Sequence, residues 1–236
     1  MSNHRSRDKI APFYLVNNMK ITFKYDLEKE YTNLWCGLGS LNRPDELPKL
    51  AQEIVDLGIE LHDKEKIMKF FNDKMEAKNI DIKQKLRELK SGWLSIAGEA
   101  ENRLKKLFNT DIDLGDVTAY LTVSRRCGYN PKERLFFVSV NRDEPNSTII
   151  HEILHFYTHN LYEQKFLDAG LSYEDFNDYK EALTFILNTD FHDLLGGEID
   201  KGYEKQKDLR IWLENKWPSC KNIGELTKMA MEKLSH

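Results

Sequence analysis

The tightest constraint on how this chain folds is a five-residue segment, His151-Glu-Ile-Leu-His155, within an apolar stretch. Residues four apart on an α-helix lie about 6 Å apart along the axis and roughly 40° apart around it, so the two imidazoles share one face. Both rings can then reach the same metal ion, with Glu152 beside the ion's open position. The sequence therefore predicts a helix here, with a metal site on its face.

The residues before this motif predict where the helix begins. Pro145 lies in a polar segment and is favoured in a first helical turn. Upstream, residues 117–124 and 134–140 are β-branched and aromatic runs, separated by the turn-like residues 127–131. We expect a hairpin that leads into the motif helix, with a strand edge to which an extended peptide could add.

A third ligand has to come from the acids that follow the motif. Glu181 lies in the apolar helical stretch 179–187, where a partly buried carboxylate needs a partner, and a metal ion would be one. We therefore predict Glu181 as the third ligand. Asp178 and Asp190 are alternatives, and a residue that the sequence pattern does not identify is a further alternative.

Other polar residues near the motif have simpler explanations. Glu174 and Asp175 fit the first turn of a helix capped by Ser172, where acids interact favourably with the helix dipole. His159 extends the stripe of histidines by one more turn, but a straight helix cannot bring three such side chains to one ion. We interpret His159 as a histidine at the helix C-terminus.

The motif and the later helical Glu181 resemble the gluzincin class of zinc metallopeptidases, with a thermolysin-like architecture, over roughly residues 115–190. The resemblance implies that zinc is held by His151, His155 and Glu181. It also implies that Glu152 is the general base, taking a proton from a zinc-bound water. One departure is that the gap between His155 and Glu181 is somewhat longer than is usual in this class.

A second departure concerns the groups around the ligands. Phe185 stands where thermolysin-like enzymes often place an acidic partner, so we expect Thr184 or Asn188 to orient a ligand histidine. Peptidases of this kind usually add a His or Tyr that stabilises the developing oxyanion. Tyr203 and His192 are the candidates, although each also has a structural interpretation in a turn or at a helix end.

Two further resemblances are less specific. Gly98-Glu-Ala-Glu-Asn102 superficially resembles the strand by which zinc aminopeptidases capture a substrate amine. We reject it, because apolar residues recur every three or four positions from Ile82 to Leu107 and predict a long amphipathic helix. The order of strand, polar turn, motif helix and later glutamate also resembles compact cytosolic peptidases that cleave phage-type repressors, but nothing in the sequence fixes that substrate.

Composition sets the frame for these expectations. The chain has 236 residues, with 40% hydrophobic and 31% charged residues, which is typical of a globular protein. A net charge of −4 with both signs interspersed gives no basic surface for nucleic acid.

The polar start, Met1 to Lys9, and the lack of a membrane-length apolar segment predict a cytoplasmic protein without a membrane partner. Cys36, Cys127 and Cys220 are predicted to be reduced thiols, because their number is odd and their spacing wide.

We expect an α+β chain that is mostly helical and zincin-like, with a small, largely antiparallel sheet beside the motif helix. Residues 1–236 are predicted to form one domain in two lobes, about 13–160 and about 161–236, the second helical and carrying the third ligand. Gly196-Gly197 is a possible hinge between them. Other predicted elements are a strand at 19–25 and helices at 45–61, 64–75, 203–217 and 223–234.

The leading hypothesis is a zinc metallopeptidase-like hydrolase that acts on a peptide, a protein or another amide. The alternative is a module on a metallopeptidase scaffold that binds a protein partner without cutting it. A third interpretation is a mainly helical interaction protein in which the motif is accidental. The intact Glu152 favours the first over the second, and the sequence does not fix an oligomeric state.

Overall fold

The sheet of the protein has four strands in the order β1-β2-β4-β3. The structure, a computed structural model, describes residues 19–39, 47–125 and 128–235, without the side chains of 36–39. The strands are β1 (Ile21–Lys24), β2 (Val117–Thr122), β3 (Tyr129–Asn130) and β4 (Leu135–Ser139).

Nine α-helices lie within the described ranges. They are α1 (Leu27–Gly39), α2 (Lys49–Asp56), α3 (Lys64–Ala77), α4 (Ile82–Phe108), α5 (Pro145–Asp168), α6 (Tyr173–Ala182), α7 (Ile186–Asp190), α8 (Lys207–Lys216) and α9 (Ile223–Leu234). The chain is therefore α+β and mostly helical, as the sequence predicted at this coarse level, and its small sheet is mixed.

The predicted hairpin between residues 117–124 and 134–140 is wrong. β2 and β4 run parallel, with Thr118 opposite Leu135, and β1 is also parallel to β2. The antiparallel partner of β4 is the two-residue strand β3, with Tyr129 opposite Phe136. The sheet is thus mixed rather than largely antiparallel, because the turn-like residues between the two runs contain a strand of their own.

A signal for this pairing was present in β4. Its five residues are all buried, and they read as a nearly continuous apolar run, which is typical of a strand covered on both faces in parallel pairing. An antiparallel strand with one face in water would alternate instead. β3 lies at the end of the strand order, so one side of Tyr129–Asn130 forms an edge of the sheet.

The long helices agree well with their sequence patterns. α5 begins at Pro145, as predicted, and packs against β4 and α4. α4 covers the segment predicted from its apolar spacing, including Gly98 to Asn102, and α9 has the predicted bounds. Burial of the first half of α5 on all sides anchors the motif rigidly in the core.

The predictions were weaker near the amino terminus. α1 was not predicted, and α2 is shorter than the predicted helix at 45–61, part of which lies outside the described residues. Met1 to Lys9 and Cys127, for which the sequence also gave predictions, lie outside the described residues, as does the side chain of Cys36. Cys220 is a half-buried free thiol.

No helix within the described ranges has the length and apolar character needed to cross a membrane.

Candidate metal centre

Three side chains meet where α5 faces α6. His151, His155 and Glu181 each offer one ligand atom, and these atoms all lie within 4.8 Å of one another. Glu181 Oε2 is 3.3 Å from His155 Nε2 and 3.9 Å from His151 Nε2. Zinc with bonds of about 2.0–2.1 Å in tetrahedral geometry separates its ligand atoms by about 3.3 Å, so the spacing fits a zinc ion with small adjustments.

The position of Glu181 is set by the turn before α6 and by aromatic packing. Ser172 and Asp175 form the predicted capping box, which fixes the first turn of α6. Phe166 of α5 packs against Phe176 and Tyr179 of α6, with ring centroids 5.5 and 5.1 Å away. The two helices are therefore held together by rings in the second half of α5, and Glu181, near the C-terminal end of α6, lies beside the two histidines.

His155 is 1% exposed and surrounded by rings. The ring centroid of His151 lies 4.4 Å away and that of Tyr129 lies 5.3 Å away. Burial, together with the charge of Lys180 and of His151, lowers the pKa of His155 to about 3. The imidazole is therefore neutral, which is the form that binds a metal. Its Nδ1 is buried and has no hydrogen-bond partner among the described residues.

His151 has a different environment, because its Nδ1 lies 3.0 Å from Oδ2 of Asp200. Asp200 is held in turn by Thr184 Oγ1, which donates to Oδ1 at 2.9 Å, and by Arg210 Nη1 at 3.0 Å from the same oxygen. Asn188 exchanges two hydrogen bonds with the backbone of Asp200, both 2.8 Å long. Thr184 and Asn188 thus act on the histidine through Asp200, which the sequence analysis missed.

Glu152 lies among the same charged groups. Its side chain is buried, and Oε2 has no hydrogen-bond partner among the described residues. Burial raises the pKa of Glu152 to about 7, with Glu181 adding to the effect and the charges of His151 and Lys180 opposing it. A carboxylate with such a pKa can both accept and return a proton near neutral pH.

Lys180 is the second residue that the sequence analysis missed. It is 1% exposed, and its Nζ donates to Oε1 of Glu181 at 2.5 Å and to the Tyr129 hydroxyl at 2.6 Å. Burial disfavours the charged form of Glu181, but His155 and Lys180 outweigh burial and hold its pKa below the ordinary value. The carboxylate is therefore ionised and available as a ligand.

His159 is not a helix C-terminal histidine, because α5 continues to Asp168. Its Nε2 lies 2.9 Å from the Tyr129 hydroxyl and its Nδ1 lies 3.0 Å from Oε2 of Glu163. Both ring nitrogens are thus engaged away from the three ligand atoms. The stripe of histidines along α5 divides into two that meet Glu181 and one that supports Tyr129.

The two predicted oxyanion donors lie at or in short 3-10 turns. Tyr203 is 62% exposed at the start of a short 3-10 turn, and His192 is exposed in another. Both stay predictions as donors to an oxyanion.

The carboxylates that were alternatives to Glu181 have other partners. Asp178 accepts hydrogen bonds from Gln206 and Lys205, and Asp190 accepts one from Trp217.

A cavity of about 440 Å³ lies along the second half of α5, and none of the three candidate ligands lines it. Its apolar side includes Phe156 of α5 and Tyr173 of α6, and its polar side includes His159 and Glu163. Asn130 of the edge strand β3 also lines it. The cavity therefore connects the strand edge with the second half of the motif helix.

Comparisons of the chain with protein-family models, with curated proteins and with solved structures found no match in any of the three.

Proposed function

We propose that this protein is a zinc-dependent metallopeptidase-like hydrolase with a zincin-like fold, in which the metal is held by His151, His155 and Glu181. The observation that carries the proposal is the meeting of these three side chains within 4.8 Å, with the buried Glu152 one position along the same helix. Zinc bound there would activate a water molecule and polarise the carbonyl group of the substrate.

The chain's own residues supply the rest of the chemistry. The lowered pKa values of His155 and Glu181 favour the neutral imidazole and the ionised carboxylate that a metal requires. Asp200 holds the Nδ1 side of His151, which leaves Nε2 facing Glu181. Glu152 has the pKa of a group that can take a proton from water and deliver it to the leaving amine.

The substrate class follows from the edge of the sheet. Tyr129 and Asn130 pair with β4 on one side, and the Tyr129 ring lies against the ligand His155. An extended peptide that adds to the other side of β3 would pass close to the ligands, with the neighbouring cavity open to a side chain. This arrangement favours a peptide or protein substrate.

The test is a set of three variants beside the wild type, each purified without a histidine tag. Glu152→Gln should keep about one zinc per chain, measured by plasma mass spectrometry, and lose about 10²–10⁴-fold in turnover of a peptide library. His155→Ala and Glu181→Ala should lose the zinc itself. Glu174→Gln, an exposed glutamate of α6, is the matched control and should keep both metal and activity.

Three results would contradict the proposal in different ways. Zinc that is absent from the wild type, even after it is supplied, would make the motif accidental. Zinc that stays in Glu181→Ala would point to another third ligand. Wild-type turnover by Glu152→Gln would overturn the role of the base, and zinc binding without any turnover would favour the protein-binding module.

A further inference from the structure

The two oxygens of Glu181 have different partners. Oε1 accepts a hydrogen bond from Lys180 Nζ at 2.5 Å, whereas Oε2 is the atom that lies near the two imidazoles. Oε2 is buried and has no hydrogen-bond partner among the described residues. A carboxylate can bind a metal through one oxygen or both, so this division affects how many positions around a metal the protein fills.

We propose that Lys180 limits Glu181 to a single-oxygen ligand through Oε2 and thereby keeps an open position at the metal for substrate. The inference rests on the metal site proposed above and assigns to Lys180 a positioning role. Catalytic zinc sites use three protein ligands and leave the fourth position open, and a second oxygen from Glu181 would compete for that position.

The location of Lys180 supports this role. An ammonium group that is 1% exposed needs fixed partners, and its two hydrogen bonds go to Glu181 and to the Tyr129 hydroxyl. The Nζ also lies 4.5 Å from the centroid of the Tyr129 ring. The hydroxyl is fixed from its other side by His159, so Lys180 has little freedom to leave Oε1.

A simpler role for Lys180 is to neutralise Glu181 in the protein interior. If this were its only role, replacing Lys180 would lower the free energy of unfolding of the metal-free protein. The way in which the metal is bound would not change. The proposal differs because it predicts a change in coordination. The experiment therefore has to report on the coordination number rather than on activity.

The test uses cobalt(II) in place of zinc, since cobalt accepts the same donors and its visible absorption is strong for four ligands and weak for five or six. The wild type should bind about one cobalt per chain with the strong absorption of a four-coordinate site. In Lys180→Met, Glu181 can bind through both oxygens, so the same amount of bound cobalt should absorb markedly less. Lys228→Met, at an exposed lysine of α9, is the matched control and should give the wild-type spectrum.

The outcomes separate this proposal from the one on which it rests. A wild type that binds no cobalt overturns the metal site itself. A folded Lys180→Met protein with the wild-type spectrum, or one that binds no cobalt at all, overturns the role of Lys180 and leaves the metal site standing. If Lys180→Met does not fold, Lys180→Ser gives the same test, because its side chain is polar but too short to reach Oε1 of Glu181.

Discussion

The two sides of the candidate metal centre are stabilised in different ways. On the Asp200 side, a carboxylate holds His151 and is itself fixed by residues between positions 184 and 210. On the Lys180 side, an ammonium holds Glu181 and is fixed by Tyr129 of the sheet, which His159 of α5 supports. The first side comes from one short stretch of the chain, whereas the second joins a strand and two helices.

This difference shows how the two histidines of the candidate centre are oriented. His151 has a hydrogen-bonding partner for Nδ1, so its ring is oriented by a polar contact. Nδ1 of His155 has no hydrogen-bond partner among the described residues, and the ring packs against the rings of His151 and Tyr129. We conclude that packing orients one ligand and a charged network orients the other, and the following experiments test that distinction.

The largest effect is expected for Asp200→Ala. The substitution leaves Arg210 partly buried beside the site without its carboxylate, so the metal-free protein should lose about 3–5 kcal/mol in its free energy of unfolding. Urea denaturation measures this loss. Asp208→Ala, at an exposed acid of α8, is the control and should change stability by about 0.5 kcal/mol or less.

A double variant identifies the cause of that loss. Asp200→Ala combined with Arg210→Met removes the unpaired charge, so it should be more stable than Asp200→Ala alone. If the single variant loses less than about 1 kcal/mol, the Asp200 side is not the strongly coupled network described above.

A pH-dependent effect of somewhat smaller size is expected on the sheet side. Glu30 of α1 accepts hydrogen bonds from Thr122 Oγ1 at 2.8 Å and from the Val123 backbone at 3.0 Å, just before the segment that leads to β3. Burial raises the pKa of Glu30 to about 7, although these hydrogen bonds oppose it. The folded state therefore keeps a proton that the unfolded state releases near pH 4.5.

The sign of the effect follows from this proton. Between about pH 4.5 and 7 the folded state binds more protons at Glu30, so the free energy of unfolding should fall as pH rises, by up to about 3 kcal/mol. The measurement is the urea stability of the wild type minus that of Glu30→Gln across this range. A difference that stays flat with pH would show that Glu30 does not titrate differently in the folded protein.

The smallest effect is expected for His159→Gln. Since His159 contacts Tyr129 and Glu163 rather than the ligand atoms, the variant should keep one zinc per chain and lose only about 1 kcal/mol of stability. His155→Gln is the matched control and should lose the zinc. Metal content together with thermal denaturation checks both expectations, and loss of zinc from His159→Gln would contradict the expectation that metal binding is independent of His159.

The parts of the site that the sequence predicted are those governed by local rules. Helical spacing placed His151 and His155 on one face, and burial within an apolar stretch distinguished Glu181 from the other acids. The capping box at Ser172 was predicted for the same reason, since it depends only on residues three apart. Each of these predictions uses interactions within one helix.

The missed parts depend on contacts between elements distant in the sequence. The parallel pairing of β2 with β4 depends on β3, whose two residues are too few to give a periodic signal. Asp200 lies in an irregular segment, so no pattern indicated that it would meet His151. Lys180 stands beside the predicted ligand, and the unexplained charge of a lysine within a buried helical stretch was the one available signal.

The segment that carries Asp200 has a consequence for the order of synthesis. Gly196, Gly197 and Gly202 have positive φ angles and let the chain turn sharply, while Glu198 contacts Ser147 in the first turn of α5. A nascent chain therefore contains all three candidate ligands before it contains Asp200, the acid that holds His151. Under the proposed function, the orientation of His151 therefore depends on a segment that is synthesised after all three candidate ligands.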